Sequence, residues 1–257
     1  MSSIKAKKSL GQNFLMHARI AERIAKAAGF VPGATVLEIG PGTGMLTREL
    51  LKLGARVIAI EADKDLYEKL LQEFAREIAE RRLDLRHGDI RALDIDTLPR
   101  GYALVANIPY YLTGEIFRML LSAGNQPSSM TLLVQKEVAE RIARAKKESL
   151  LSLSVKAYGS PKYEFTVPRG AFRPMPKVDS AVLSIRNISR DRFATRADEE
   201  RFFSLIRAGF AHKRKLLAKN LAEAGFDVIS GPDRARAEDL SLDAWLSLTS
   251  KSRPSAR

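Results

Sequence analysis

A buried strand running straight into glycines at alternate positions constrains this chain more than any other feature. Ala34-Thr-Val-Leu-Glu-Ile39 is short, apolar and β-branched, and Gly40-Pro-Gly-Thr-Gly44 turns it into a helical stretch from Met45 to Leu53. A strand apolar along its whole length must be covered on both faces, as in a parallel sheet flanked by helices. The next strand, Arg56-Val-Ile-Ala-Ile60, ends at Glu61 and completes one βαβ unit. Asp63 is then expected to cap a long helix carrying Leu66, Leu70, Leu71, Phe74 and Ile78.

The alternation continues. Leu83–Arg86 is a short strand ending in His87-Gly-Asp-Ile90, Tyr102–Ala106 a fourth ending at Asn107, and Met130–Val134 a fifth. Thr113 is expected to cap a helix running through Leu121. Ahead of this block, Ser9–Leu15 reads as a loop lying across something, and Ile20, Ile24, Ala27 and Ala28 mark one helix face. After a helix at Leu150–Tyr158, Lys162–Val167 and Val178–Ile185 read as an antiparallel pair closing the sheet. The polar stretch Asn187–Ala197 marks a boundary. Beyond it, Phe202, Ile206, Phe210, Leu217 and Leu221 fall on one helical face, and Ser241 opens a short helix. The expected organisation is an α/β domain over residues 1–187, a small all-helical domain over 188–250 and a disordered tail over 251–257.

Composition narrows the chemistry. Zero cysteines remove thiol nucleophiles, disulfides and cysteine zinc sites, and His17, His87 and His212 stand too far apart in sequence for a local metal motif. No metal is expected. No apolar run reaches membrane-spanning length and the basic start lacks an apolar signal segment, so a cytoplasmic location is expected. The formal charge of +13 suits a polyanion, although a basic surface that only aids solubility is the bland alternative.

Four successive strand ends present Gly40, Glu61, Asp89 and Asn107 to one edge, where open α/β sheets bind ligands. Glycines at 40, 42 and 44 depart from the dinucleotide pattern G-x-G-x-x-G and from the phosphate loop of nucleotide hydrolases. Glu61, one βαβ unit later, suits two ribose hydroxyls; Asp89 suits an adenine amino group, with Ile90 packing on the ring. Each is an ordinary turn residue when taken alone; together they favour a cofactor containing a nucleoside. Asn107-Ile108-Pro109-Tyr110 sets an amide, exposed carbonyls and an aromatic ring at one strand end, which suits a planar base with an amino group.

In order and spacing, Asn13-Phe-Leu15, Glu38–Gly44, Glu61, Gly88-Asp89, Asn107–Tyr110, Gln135-Lys-Glu-Val138 and Phe172–Val182 resemble the ribosomal RNA adenine N6-dimethyltransferases. The likeness runs from about residue 5 to 248 and is strongest to the bacterial small-subunit branch. It implies a Rossmann-like class I methyltransferase fold with an antiparallel edge hairpin and a C-terminal helical RNA-binding domain. It implies S-adenosylmethionine as donor, contacted by Asn13, Leu15, Gly40, Gly42, Glu61, Ala62, Asp89, Ile90 and Asn107. Its substrate would be two adjacent adenosines near the 3′ end of 16S rRNA, within a 30S precursor, each dimethylated at N6 by a monomeric enzyme. Asn107–Tyr110 would then hold the target amino group, with Tyr110 stacking on the base and Phe172 covering its other face.

The same likeness turns the basic residues toward rRNA: Lys5, Lys7 and Lys8, then Arg207, Lys213, Arg214, Lys215 and Lys219, the last two on one helix face at four-residue spacing. Two departures stand out. Tyr111 occupies a place where many members have asparagine, and Lys146–Leu150 lacks the usual glycine and tyrosine. Erm-type methylases of large-subunit rRNA share Asn-Ile-Pro-Tyr, but Gln135–Ile142 and the Arg236–Leu248 tail argue against them. A non-catalytic ribosome-assembly or transcription factor on the same fold is the rival of another class.

Overall fold

The computed structural model describes residues 6–7, 10–227, 234–251 and 253–254. The first elements are β1 (Phe14–Leu15), α1 (Ala18–Ala28), β2 (Thr35–Ile39), α2 (Met45–Lys52), β3 (Arg56–Glu61), α3 (Lys64–Glu73), α4 (Ala75–Ala79) and β4 (Leu83–His87). There follow β5 (Ala103–Asn107), α5 (Thr113–Leu121), β6 (Ser129–Gln135), α6 (Lys136–Ala143), α7 (Leu150–Lys156), β7 (Ser160–Val167), β8 (Phe172–Arg173) and β9 (Ser180–Arg186). The chain ends in α8 (Arg196–Gly209), α9 (Leu217–Glu223), β10 (Phe226–Asp227), α10 (Leu242–Lys251) and β11 (Arg253–Pro254).

Two compact units are formed, one from residues 1–139 and 161–188, the other from 140–160 and 189–257. The second break lies one residue from the expected boundary. Residues 140–160, grouped by sequence with the first domain, fall in the second unit.

The first unit holds a seven-stranded sheet in the order β4-β3-β2-β5-β6-β9-β7. β2 pairs in parallel with both β3 and β5, β4 and β6 extend the parallel set, and β9 runs antiparallel to β6. Chain order therefore reverses direction at β2, and the reversal opens a crevice at the carboxyl ends of β2 and β5. The central strands are buried along their length because helices cover both faces; Val36, Leu37, Leu104, Val105 and Leu132 are all fully buried. The α/β reading and the antiparallel edge therefore stand, with β9 set between β6 and β7.

Local differences have local causes. The expected helix after Asp63 breaks at Phe74, whose fully buried ring packs under Gly44. A Cβ on Gly44, which sits at φ +75°, would lie 2.5 Å from that ring, so the turn into α2 requires glycine here. Asp63 does cap α3, accepting the Asp65 N–H at 3.1 Å. Thr113 is the first helical residue of α5 and makes no side-chain cap bond. Within the expected loop Ser9–Leu15, Phe14 and Leu15 pair with Arg173 and Phe172 as a small antiparallel ladder.

The second unit packs Leu153 and Ala157 with Phe202, Leu205, Leu221 and Trp245. Its basic run departs from expectation. α8 stops at Gly209, and Lys213, Arg214 and Lys215 lie in the connection to α9 rather than inside a helix. The cause is Asn220, whose amide donates to the Gly209 carbonyl at 2.6 Å, satisfying a group at the helix end, and to the His212 carbonyl at 3.1 Å, which also accepts the Lys215 N–H at 3.0 Å. Trp245 presses so closely that a Cβ at Gly209 would lie 2.3 Å from its ring. Lys215 and Lys219 therefore share no helix face. Lys251 ends α10, and Arg253–Pro254 pair with Phe226–Asp227, in a stretch expected to be tail; residues 252 and 255–257 lie outside those described.

Candidate active site

Over the carboxyl ends of β2, β3, β4 and β5 lies a cavity of about 1080 Å³, counting its open mouth. Its floor is the turn at Gly40–Thr43, and residues 10–15 lie across it as a strap. Asn13, Leu15, Gly40, Gly42, Glu61, Ala62, Asp89, Ile90 and the whole of Asn107–Tyr110 line it, so one space collects every residue expected to hold the donor or the target amino group.

The polar side chains here are fixed before any ligand arrives. Glu61, 4% exposed, accepts the Gly42 N–H at 3.0 Å on one oxygen and the Asp63 N–H at 2.9 Å on the other. Burial pushes its carboxyl up, and those two backbone donors pull it back. A carboxylate offers about four acceptor positions, so each oxygen keeps one for an incoming hydroxyl. Beside it, burial pushes the Glu38 carboxyl up to about 8, against the pull of Thr47. Asp89 ends the β4 turn and receives Arg91 through its backbone N–H at 2.9 Å and through its guanidinium, which holds the carboxyl below its ordinary value.

Asn107 Nδ2 donates to the Asn13 carbonyl at 3.1 Å. Because that partner can only accept, the amide's orientation is set and Oδ1 is left for a donor. Pro109 O accepts the Leu112 N–H at 3.0 Å in the short turn Tyr110–Leu112, so Ile108 supplies the carbonyl not engaged in that turn. The Tyr110 hydroxyl meets Ser180 Oγ at 2.7 Å, and Ser180 is fully buried on β9. This tether fixes the ring at one end while the half-buried face borders the cavity. Tyr111, 58% exposed, packs against Gly11 of the strap, where a Cβ would lie 2.9 Å from its ring.

Other expected residues are placed differently. Phe172 is 1% exposed, lies in the core opposite Leu15 and does not line the cavity, because its strand pairing with β1 turns the ring inward. Lys7 donates to Asp63 at 2.6 Å and Asp65 at 2.8 Å, so its charge is matched within the protein. Lys5 and Lys8 lie outside the described residues. Arg207, Lys213, Arg214 and Lys219 are exposed, and Lys215 pairs with Glu223 at 2.7 Å. The sequence alone does not mark Ser180, Gln12 or Asp63 as site residues; Ser180 lies inside the Phe172–Val182 segment, but its partner is 70 residues away. Among the described residues, no three His, Asp or Glu groups stand together to hold a metal, and no helix is long and apolar enough to cross a membrane.

Residues 3–248 match the family model described as ribosomal RNA adenine dimethylase. A protein of Dehalococcoides mccartyi named ribosomal RNA small subunit methyltransferase A is 40% identical over 264 residues, covering 96% of this chain and 88% of its own. One of the same name from Deinococcus radiodurans is 39% identical over 252 residues, covering 93% and 83%. Among solved structures, a dimethyladenosine transferase from Plasmodium falciparum superposes with a TM-score of 0.75 at 26% identity, covering 91% of this chain and 95% of that one. The 23S rRNA methyltransferase ErmE gives 0.74 at 26%, covering 93% and 99%.

Proposed function

This chain belongs to the ribosomal RNA adenine dimethylase family, and from that premise we propose that it dimethylates the N6 amino groups of two adjacent adenosines near the 3′ end of 16S rRNA, using S-adenosylmethionine. The observation that carries the reading is the orientation of Asn107. With Nδ2 committed to the Asn13 carbonyl, Oδ1 is left to accept one N–H of an amino group, and the Ile108 carbonyl takes the other.

The residues fit the donor. Gly40, Gly42 and Gly44 all adopt positive φ, leaving backbone where side chains would intrude, and Glu61 keeps acceptor positions for two ribose hydroxyls. Asp89 and Ile90 take the adenine end, and Asn13 and Leu15 cover the site from the strap. When bound, the donor supplies a methyl group already activated on a sulfonium. What the chain must do is alignment. The N6 lone pair of adenine is delocalised into the ring and becomes nucleophilic when both N–H bonds are held by acceptors. Asn107 and Ile108 hold them, and Tyr110, tethered by Ser180, provides a face for the extruded base. Orientation of this kind accounts for on the order of 7–11 kcal/mol of barrier, so no strong base is needed and Asp89 and Glu61 remain donor ligands.

The first unit is then the catalytic domain and the second binds rRNA, with Arg207, Lys213, Arg214, Lys215 and Lys219 facing phosphates. We place the reaction in the cytoplasm on a small-subunit precursor, by a monomer, since one chain supplies every residue invoked. The likeness to ErmE favours a large-subunit RNA substrate as the second reading. The higher identity of the small-subunit relatives outweighs it. Incubation with labelled donor and either small-subunit particles or naked large-subunit RNA separates the two: label is expected in the first, and label in the second alone would overturn the assignment.

A further inference from the structure

The bonds converging on Asp63 take no part in the chemistry above. Asp63 stands two positions beyond Glu61, with its side chain 2% exposed. Its backbone N–H donates to Glu61 Oε1 at 2.9 Å. Its carboxylate accepts Lys7 Nζ at 2.6 Å and Gln12 Nε2 at 3.0 Å, Gln12 from the strap and Lys7 from ahead of it. The Lys7 backbone N–H donates in turn to Gln12 Oε1 at 2.7 Å, closing a ring of bonds among the three residues. Asp63 also caps α3, but a cap needs only one acceptor for the Asp65 N–H. Capping explains neither the burial of the carboxylate nor the two N-terminal side chains drawn to it across more than fifty residues.

We infer that Asp63 is a positioning residue for the methyl-donor site, holding Glu61 through its N–H and the strap through its carboxylate. The inference rests on the reading that the cavity takes S-adenosylmethionine. One residue thereby sets two opposed walls: the carboxylate expected to meet the ribose, and the segment whose Asn13 carbonyl orients Asn107. Lys7 belongs to this latch and not to the RNA surface. The ion pair is charge-assisted and its aspartate end is out of water, so it resists screening better than an exposed pair.

The test is donor affinity of the full chain, measured by calorimetry with S-adenosylmethionine and no RNA. Asp63→Asn keeps a good N-cap while removing the ion pair; Lys7→Gln changes the half-exposed partner and leaves the Asp63 cap of α3 in place, losing besides only the bond to the exposed Asp65. Each is expected to raise the donor Kd about tenfold, the scale of one charge-assisted hydrogen bond. The double variant should be little worse than the weaker single, since both break the same ion pair. In turnover, the donor KM should rise while kcat at saturating donor stays within about twofold. Thermal unfolding of ligand-free Lys7→Gln should stay within a few degrees of wild type, about the reach of a surface change. Wild-type affinity in both single variants, additive losses, or a fall in kcat with KM unchanged would each overturn the inference while leaving the cofactor reading intact. A wild-type chain that binds no donor would overturn that reading and the inference with it.

Discussion

The cavity of the first unit and the 211–215 connection of the second hold their polar groups in opposite ways. In the cavity Glu61, Asn107 and Tyr110, and just behind it Asp63, are each bonded to another part of the protein, so their directions are set in advance. In the connection, Lys213 and Arg214 are exposed, and among the described residues only Lys215 and His212 approach a carboxylate, that of Glu223. The first arrangement suits chemistry, where a small displacement costs rate. The second suits a polyanion, which asks for charge in roughly the right place and rewards it through counterion release.

That contrast can be broken by substitution. Asn107→Ala removes the acceptor proposed for the amino group and the bond to the strap together; methyl transfer to small-subunit particles should fall about a hundredfold or more, measured as initial rates. Glu61→Ala should next weaken donor binding by about ten- to a hundredfold and lower stability, because two backbone N–H groups lose their acceptor at about 1–3 kcal/mol each; calorimetry and thermal melts report both. Lys213→Ala with Arg214→Ala should reduce RNA affinity, flatten the dependence of log K on log salt by about one for each phosphate no longer neutralised, and leave donor affinity unchanged. A drop in donor affinity there would erase the contrast. Ser180→Ala, which frees the Tyr110 hydroxyl, should cost about two- to tenfold in kcat/KM for RNA, with Ser180→Thr restoring part of it.

The smallest effect is one of pH. The Glu38 carboxyl ionises near 4.5 when unfolded and is held protonated to about 8 when folded. Between those values unfolding releases a proton, so the contribution to stability is whole below the unfolded value and is lost as pH rises through about 8. Glu38→Gln cannot titrate, and its melting temperature should decline less than wild type from pH 5 to about pH 8.5. An identical decline would show that the buried acid does not contribute.

Much of this was legible because strand ends announce themselves. A buried strand must be an apolar run, and the polar residue that ends it, Glu61 in β3 or Asn107 in β5, falls where the sheet opens to the cavity. The relations that hold those residues were not legible. A two-residue ladder between Phe14–Leu15 and Phe172–Arg173 has no periodicity to detect, yet it is what buries Phe172. The Lys7–Asp63 latch joins a cation that reads as part of a basic lead to an aspartate that reads as a helix cap, and neither local signal mentions the other. Periodicity also carried one helix too far: Phe202, Leu217 and Leu221 share a core, but Asn220 and Trp245 break the chain between them.

The proposed function turns on Asn107 orienting an adenine amino group of small-subunit RNA. Mass spectrometry of 16S rRNA from unmethylated particles, after incubation with S-adenosylmethionine and either wild type or Asn107→Ala, tests this most directly. The wild type should leave N6,N6-dimethyladenosine at two adjacent positions near the 3′ end, and the variant almost none. No dimethyladenosine with the wild type, or equal amounts with both, would contradict it.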